Sequence, residues 1–212
     1  MITKGRAITA LLASAAFTMP ATAFAQDAEA SAGAVEDIVV TAQRREERLQ
    51  DVPVSVTALS SEALQSRRIL NASDLASVTP NLQSVSTVGS STPIFALRGI
   101  SMSDYSLNQA SPVATYFDEV YKGNFALLGV ALYDLDRVEV LRGPQGTLYG
   151  KNTTGGAVNL IARRPEFVSE ANLSAGYGNF NRYEATGSLQ IPVSDTLAAR
   201  MAFTYANANG DV

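Results

Sequence analysis

The residues with the clearest chemical potential lie in a glycine-rich stretch from Glu139 to Gly156 (EVLRGPQGTLYGKNTTGG). Glycines followed by a lysine and threonines are typical of loops that bind phosphate. A loop of the G-x-x-x-x-G-K-[ST] type needs a longer gap than the three residues between Gly146 and Gly150. It also needs a hydroxyl residue directly after the lysine, but Lys151 is followed by Asn152. The spacing therefore argues against a phosphate site.

The chain lacks the residue types on which most catalytic and metal sites depend. Its 212 residues include no Cys and no His. This composition excludes thiolate and imidazole metal ligands, cysteine nucleophiles and a histidine general base. We therefore predict no catalytic residue, no metal site and no cofactor. The formal net charge of −4 argues against nucleic acid as a partner, since nucleic-acid binding needs a concentrated basic face.

The N-terminus has the pattern of a secretory signal. Lys4 and Arg6 precede an apolar run from Ala7 to Thr18, and the small-x-small sequence from Ala23 to Ala25 is typical of a signal peptidase site. The apolar run is too short to span a bilayer. We predict that residues 1–25 are a signal peptide and that the chain is exported.

Residues 26–50 are predicted to be flexible around one short apolar strand. The stretch from Gln26 to Val35 is small and acidic, and Gln43 to Gln50 is charged. Between them, Glu36 to Ala42 (EDIVVTA) is rich in β-branched residues. Such an isolated strand suits addition to the edge of a partner's sheet. It equally suits an edge strand of this chain's own domain, and the residues leave both interpretations open.

Residues 51–165 have the pattern of a compact α+β domain. Two short helices are predicted, Glu62 to Arg68 with Ser60 as its cap and Asp74 to Val78 with Ser73 as its cap. Six strands are predicted at Val54 to Leu59, Leu82 to Val85, Ile94 to Arg98, Ala114 to Phe117, Arg137 to Leu141 and Ala157 to Ile161.

After Pro165 the sequence alternates between apolar and polar residues. Three antiparallel strands are predicted at Ala171 to Tyr177, Tyr183 to Ile191 and Leu197 to Tyr205, with turns at Gly178 to Asn181 and Pro192 to Asp195. Their apolar residues share one face, and polar residues such as Gln190 and Arg200 lie on the other. The strand lengths and terminal tyrosines are typical of membrane-spanning strands. Alternation alone fits a soluble sheet equally well, but export without cysteines favours the membrane.

In this order, these segments resemble the TonB-dependent receptors of the Gram-negative outer membrane. Asp37 to Ala42 (DIVVTA) resembles the TonB box, Asp51 to Leu59 the first plug strand, and Leu97 to Ile100 the LRG element of the plug. Asp136 to Gly150, with Thr154 to Asn159, resembles the most distinctive plug signature.

The resemblance implies an α+β plug domain over residues 51–165. Residues 166–212 would then be the first antiparallel strands of a truncated transmembrane β-barrel. Three strands cannot close a barrel without leaving backbone groups unpaired in lipid. We therefore expect the chain to be an N-terminal piece of a longer receptor.

The resemblance also implies energy-coupled uptake of a scarce ligand, by default a ferric siderophore, with vitamin B12 and glycans as other cargoes. The periplasmic protein TonB would pair by strand addition with Asp37, Ile38, Val39, Val40, Thr41 and Ala42, and outer-membrane lipid would surround the barrel strands. An exported soluble binding module is the alternative from another class. An enzyme is the weakest interpretation, for the compositional reasons above.

The longest polar loop of the domain runs from Ser101 to Ser111 (SMSDYSLNQAS). Loops of this length inside a compact domain are usually functional or mobile. We predict that this loop forms an apex of the plug that faces the outside. Its one aromatic residue, Tyr105, can supply a large contact area for a ligand. The candidate ligand contacts are Ser103, Asp104, Tyr105, Ser106 and Asn108.

A plug packed inside a barrel also accounts for the glycines of the signature. Gly143 and Gly146 bracket a turn that contains a proline, where glycine reaches backbone angles that a Cβ forbids. Gly155 and Gly156 are expected to let the next strand approach its neighbour closely.

Two arginines follow apolar strand ends, Arg98 and Arg142. By resemblance, such plug arginines pair with carboxylates on the inner wall of the barrel, where the forked guanidinium fixes the geometry. Ion pairs inside the plug, with Glu139 or Asp136, are the alternative.

Overall fold

The computed structural model describes residues 38–86, 92–103, 106, 108–129 and 132–209. The predicted signal peptide and residues 26–37 lie outside this range, and so do Asp104 and Tyr105 of the predicted ligand loop.

The described residues form strands of varied length and a few short helices. The strands are β1 (Val39–Val40), β2 (Glu47–Arg48), β3 (Val56–Ser60), β4 (Leu82–Ser86), β5 (Pro93–Leu97), β6 (Val113–Phe117), β7 (Val120–Tyr121), β8 (Leu135–Arg142), β9 (Gly156–Ala162), β10 (Glu170–Gly178), β11 (Arg182–Ser194) and β12 (Leu197–Asn207). The α-helices are α1 (Ser61–Ser66), α2 (Leu75–Val78) and α3 (Gly146–Tyr149), and 3-10 turns span Leu49–Asp51, Ala72–Asp74 and Phe125–Leu128. The nine strands predicted after residue 50 all form.

A five-stranded mixed sheet in the order β3-β8-β9-β6-β7 organises the first domain. Strands β6 and β9 pair in parallel, and the other neighbours in this sheet are antiparallel. Separate two-stranded ribbons form from β1 with β2 and from β4 with β5. A mixed sheet combined with short helices is the α+β architecture predicted from the sequence.

The alternation of side chains along β8 divides the core into two layers. Val138 and Val140 are fully buried in the larger cluster, together with Leu75 and Phe95. Leu141 points to the opposite face and is equally buried. A strand buried on both faces needs cover on both sides. Residues at the start of the described chain supply that cover on the second face.

The two predicted helices form, but one begins differently. Ser60 Oγ accepts a hydrogen bond from the N–H of Ala63 at 3.4 Å, as predicted for the cap of α1. The predicted cap of α2 is wrong, because the buried Ser73 hydroxyl has no partner among the described residues. The carboxylate of Asp74 reaches back instead and accepts from the N–H of Asn71 at 2.9 Å.

Strands β10, β11 and β12 form a separate antiparallel sheet with the predicted alternation. The side chains of Leu173 and Met201 are 77% and 73% exposed, whereas Gln190 is only 2% exposed on the other face. The turn predicted from Pro192 to Asp195 is wrong in position, since β11 continues to Ser194. A register irregularity between Pro192 and Ser194 accommodates the proline within the strand.

Across the described ranges, no helix has the length and apolar character needed to cross a membrane.

Candidate partner-binding site

Residues 38–42, here called the N-terminal segment, lie on the second face of the mixed sheet. This face is called the covered face. Val40 and Ala42 are buried there against Tyr116, Leu141 and Ala157. β1, at the centre of the segment, pairs antiparallel with β2 of the same chain. The structure shows this segment packed on its own domain, and its addition to the sheet of a partner stays a prediction.

A buried carboxylate holds the middle of the N-terminal segment. Glu139 is 0% exposed, and its Oε1 accepts hydrogen bonds from the backbone N–H of Thr41 at 2.7 Å and from the Thr41 hydroxyl at 3.1 Å. Arg137 Nε donates to the same oxygen at 2.8 Å, and Asn159 Nδ2 donates to Oε2 at 3.4 Å. A buried charge costs little only when it is paired and hydrogen-bonded, and these donors satisfy Glu139.

The charge of Arg137 is secured by the same network. Burial alone would lower the pKa of Arg137, but the hydrogen bonds and charges of Glu139 and Asp136 raise it above its ordinary value. The guanidinium therefore remains charged and keeps Glu139 paired.

Tyr149 contacts the same segment from α3. Its hydroxyl lies 3.2 Å from the carbonyl oxygen of Thr41 and 3.1 Å from that of Ala42, and it accepts from Asn159 Nδ2 at 3.0 Å. Burial raises the pKa of Tyr149, so the hydroxyl stays protonated and can donate its one proton to either of these carbonyl oxygens. The guanidinium of Arg44 lies 5.1 Å from the centre of the tyrosine ring, a cation–π distance.

The glycine-rich stretch positions this tyrosine. Gly143 has φ +107°, and Gly156 has φ +149° at a point where a Cβ would clash with the carbonyl oxygen of Leu141. The expected turn at Gly143 and the expected close approach at Gly156 are both present. Gly146 does not need its conformational freedom, because it begins α3 in open space. The loop thus places Tyr149 beneath the N-terminal segment.

A cavity of about 520 Å³ borders this network. Thr41, Arg137, Tyr149 and Asn159 line it on one side, and Arg163 lies on its wall. The cavity gives solvent a route to the hydrogen bonds of Thr41.

The two arginines predicted to contact a barrel wall have no carboxylate partner among the described residues. Arg98 is exposed, and Arg142 Nη2 donates to the carbonyl oxygen of Val56 at 3.4 Å. Their alternative partners are engaged elsewhere: Glu139 and Asp136 both pair with Arg137, at 2.8 and 2.5 Å. Pairing with a wall therefore stays a prediction.

The structure shows a different ion pair between the first domain and the three-stranded sheet. Arg200 of β12 donates to Asp134 through Nε at 2.9 Å and through Nη2 at 2.5 Å. Its Nη1 donates to Gln190 Oε1 at 3.1 Å, and Gln190 Nε2 donates to the carbonyl oxygen of Val168 at 3.2 Å. We call Asp134, Gln190 and Arg200 the junction. Sequence reasoning missed its role, although Arg200 was placed on the correct face.

Most described residues of the predicted ligand loop are exposed to solvent. Ser103, Ser106 and Asn108 are exposed, and Met102 anchors the start of the loop in the core. Among the described residues, no group of three or more acidic residues could hold a metal ion.

Comparison with known proteins identifies the class to which this fold belongs. The family model described as TonB-dependent Receptor Plug Domain matches residues 48–157, and the chain belongs to this family. Its mixed-sheet domain is a plug domain, which the three-stranded sheet follows.

Relatives resemble the chain beyond the plug. The pesticin receptor of Yersinia enterocolitica is 30% identical over 187 residues, which are 88% of this chain and 27% of that receptor. The ferric-pyoverdine BN7/BN8 receptor of Pseudomonas putida is 27% identical over 148 residues, 69% of this chain and 17% of that receptor. This chain thus spans about a quarter or less of the length of these relatives.

One solved structure gives the same picture in three dimensions. The ferric yersiniabactin uptake receptor FyuA from Yersinia pestis matches with a TM-score of 0.66 and 29% identity, over 71% of this chain and 24% of that one.

Proposed function

We propose that this chain forms the plug-bearing part of an outer-membrane receptor for energy-coupled uptake of a ferric siderophore. The match of residues 48–157 to the plug family carries this proposal. The ferric complexes named for a pyoverdine receptor and a yersiniabactin receptor similar to this chain support the proposed cargo. Transport is expected of the assembled receptor.

The three-stranded sheet is proposed as part of the membrane-spanning wall. Its outward residues form an exposed apolar face, which lipid would cover. They include Leu173, Tyr177, Leu189, Met201, Phe203 and Tyr205. A soluble binding module would have to expose this face to water, a larger apolar patch than soluble proteins usually carry. Residues 1–25 are proposed to direct export.

The strand from Asp37 to Ala42 is proposed to bind TonB by strand addition. Its β-branched sequence suits pairing with a partner's sheet edge. In the structure, β1 is already paired with β2. The proposed interaction therefore requires the segment to leave the covered face.

Replacing Val39 with proline tests the proposed function. Proline removes a backbone donor and disturbs pairing with a partner strand, so uptake of ⁵⁵Fe-labelled siderophore should be lost while binding of the same ligand to cells is retained. Ala34→Pro, placed before the predicted strand, is the matched control and should transport normally. Normal uptake by the Val39 variant would reject TonB docking at this strand.

The loop from Ser101 to Ser111 is proposed to contact the ligand. Exposure of Ser103, Ser106 and Asn108 supports this role. Deleting residues 103–108 should weaken ferric-siderophore binding without preventing insertion of the receptor into the membrane. Equilibrium binding to whole cells measures the effect, and unchanged affinity would leave the loop with only a structural role.

A further inference from the structure

The strand proposed to bind TonB is closed in this structure. Val40 is fully buried, β1 is paired with β2, and the carbonyl oxygen of Ile38 accepts from the N–H of Leu49 at 2.8 Å. A strand can add to a partner's sheet only when one of its edges is free. Here β2 pairs with β1 along one edge, and Glu139 and Tyr149 bond the backbone of the adjoining Thr41. Binding of TonB must therefore compete with the contacts that hold the segment on the plug.

Two plug side chains bond the backbone of the segment directly. Glu139 accepts from the N–H of Thr41 at 2.7 Å, and the Tyr149 hydroxyl lies 3.2 and 3.1 Å from the carbonyl oxygens of Thr41 and Ala42. Glu139 satisfies a backbone donor that a partner strand would otherwise satisfy, and the Tyr149 proton satisfies one of the two carbonyl oxygens at a time. These two side chains hold the segment without adding another strand to the plug sheet.

If these bonds opened, the buried charge of Glu139 would still have partners on the plug. Glu139 would keep Arg137 and Asn159 as donors, and Tyr149 would keep its bond with Asn159. The adjoining cavity of about 520 Å³ would let water replace the bonds of Thr41. The segment itself brings no charged side chain to the contact, since Ile38 to Ala42 reads IVVTA. The geometry thus favours a reversible contact over a permanent one.

We call the strand from Asp37 to Ala42 the docking strand. We propose that Glu139 and Tyr149 form a clasp that holds the docking strand closed and sets the fraction of receptors able to bind TonB. The inference rests on the proposed role of this strand in TonB binding. When the binding-competent form is a minor population, the apparent affinity falls by the fraction that is open. Glu139 and Tyr149 are thus positioning residues that act through the docking strand.

A cysteine at position 40 measures the open fraction, because the chain has no cysteine of its own. Val40→Cys is introduced into the complete receptor in outer-membrane fragments, with every cysteine outside these 212 residues replaced by serine, and its rate of labelling by a maleimide is followed. Adding Glu139→Gln should raise the rate about tenfold to a hundredfold, since Thr41 would then donate to a neutral amide oxygen, a weaker acceptor than a carboxylate. Tyr149→Phe should raise it about fivefold, because a neutral hydrogen bond is weaker.

Glu62→Gln is the matched control. Glu62 also lies beside an arginine, Arg163 at 3.7 Å, but its side chain is 71% exposed and it makes no bond to the segment. This variant should label at the original rate. A second reporter, Leu75→Cys, lies fully buried in α2 and should stay protected in every variant. If Glu139→Gln exposes Leu75→Cys to the same extent, Glu139 supports the whole plug and the clasp is rejected.

Titration with the soluble periplasmic domain of TonB completes the test. Glu139→Gln should tighten TonB binding by the same factor by which it raises labelling, a gain that damage to the fold would not produce. Unchanged labelling at position 40 would overturn the clasp, even if TonB still binds the strand. Faster labelling without any TonB binding would uphold the closed strand but reject its proposed partner.

Discussion

At the covered face of the plug, Glu139 accepts hydrogen bonds from Thr41, which carries no charge, whereas at the junction Asp134 faces the guanidinium of Arg200. Release of the N-terminal segment leaves Glu139 paired with Arg137. Separation of Asp134 from Arg200 leaves two opposite charges without each other, and the Arg200 side chain is only 6% exposed. Both regions contain a carboxylate in a sheltered site. Of the two, only the junction has two opposite charges facing each other across the contact.

This difference indicates which of the two contacts can open at the lower cost in free energy. Hydrogen bonds from neutral groups can be replaced by water from the adjoining cavity at modest cost. Breaking a sheltered ion pair by removing one partner is expensive, because the remaining charge is uncompensated. The contacts at the covered face therefore suit the proposed release of the N-terminal segment, and those at the junction suit a lasting contact between the plug and the three-stranded sheet.

The largest expected effect comes from breaking the junction. Asp134→Ala should lower the free energy of unfolding by about 2–4 kcal/mol, because Arg200 would keep only Gln190 as a partner. Chemical denaturation of the solubilised receptor measures the change. Asp195→Ala, in the exposed turn between β11 and β12, is the control and should change the free energy by less than about 0.5 kcal/mol.

A double variant tests whether the charge pair is responsible. Asp134→Ala with Arg200→Ala should be less destabilised than the sum of the single variants, since neither charge is then stranded. Additive effects would show that the two residues stabilise the protein independently, and the contrast between the regions would fail.

A smaller effect is expected at the covered face. Thr41→Val keeps the shape and the backbone bond but removes the hydroxyl that lies 3.1 Å from Glu139. Because Glu139 retains its other donors, the free energy of unfolding should fall by about 1 kcal/mol. The same denaturation experiment measures it. A loss as large as that of Asp134→Ala would mean that the two regions do not differ in the way proposed.

The smallest change in stability is expected for Arg142→Lys, the test of the proposed wall contact. Lysine keeps the charge but loses the fork and the bond to the Val56 carbonyl, so stability should change by about 0.5 kcal/mol. Ligand binding should persist while uptake of ⁵⁵Fe-labelled siderophore falls; Arg98→Lys is expected to behave alike. Normal transport by both variants would assign these arginines to the plug alone.

The local patterns of the sequence determined much of the fold. Alternation placed Gln190 and Arg200 on the face opposite the apolar residues, and the structure confirms it. The Ser60 cap and the tight approach at Gly156 were also predicted, because caps and close contacts depend on a few neighbouring residues. The family resemblance, carried by the signature from Asp136 onwards, is confirmed by the plug match.

Tertiary structure alone decided which segments meet at the two sites. Period-2 alternation puts Glu139 on one face of β8, but it does not say that Thr41, 98 residues away, covers that face. The same holds for Asp134 and Arg200, which lie 66 residues apart and were predicted in separate domains. Local propensity acts over a few residues, whereas the partner of a buried charge is chosen when distant elements pack. The sequence by itself therefore determined the strands and their faces, and the packing determined which carboxylate holds the N-terminal segment and which holds the three-stranded sheet.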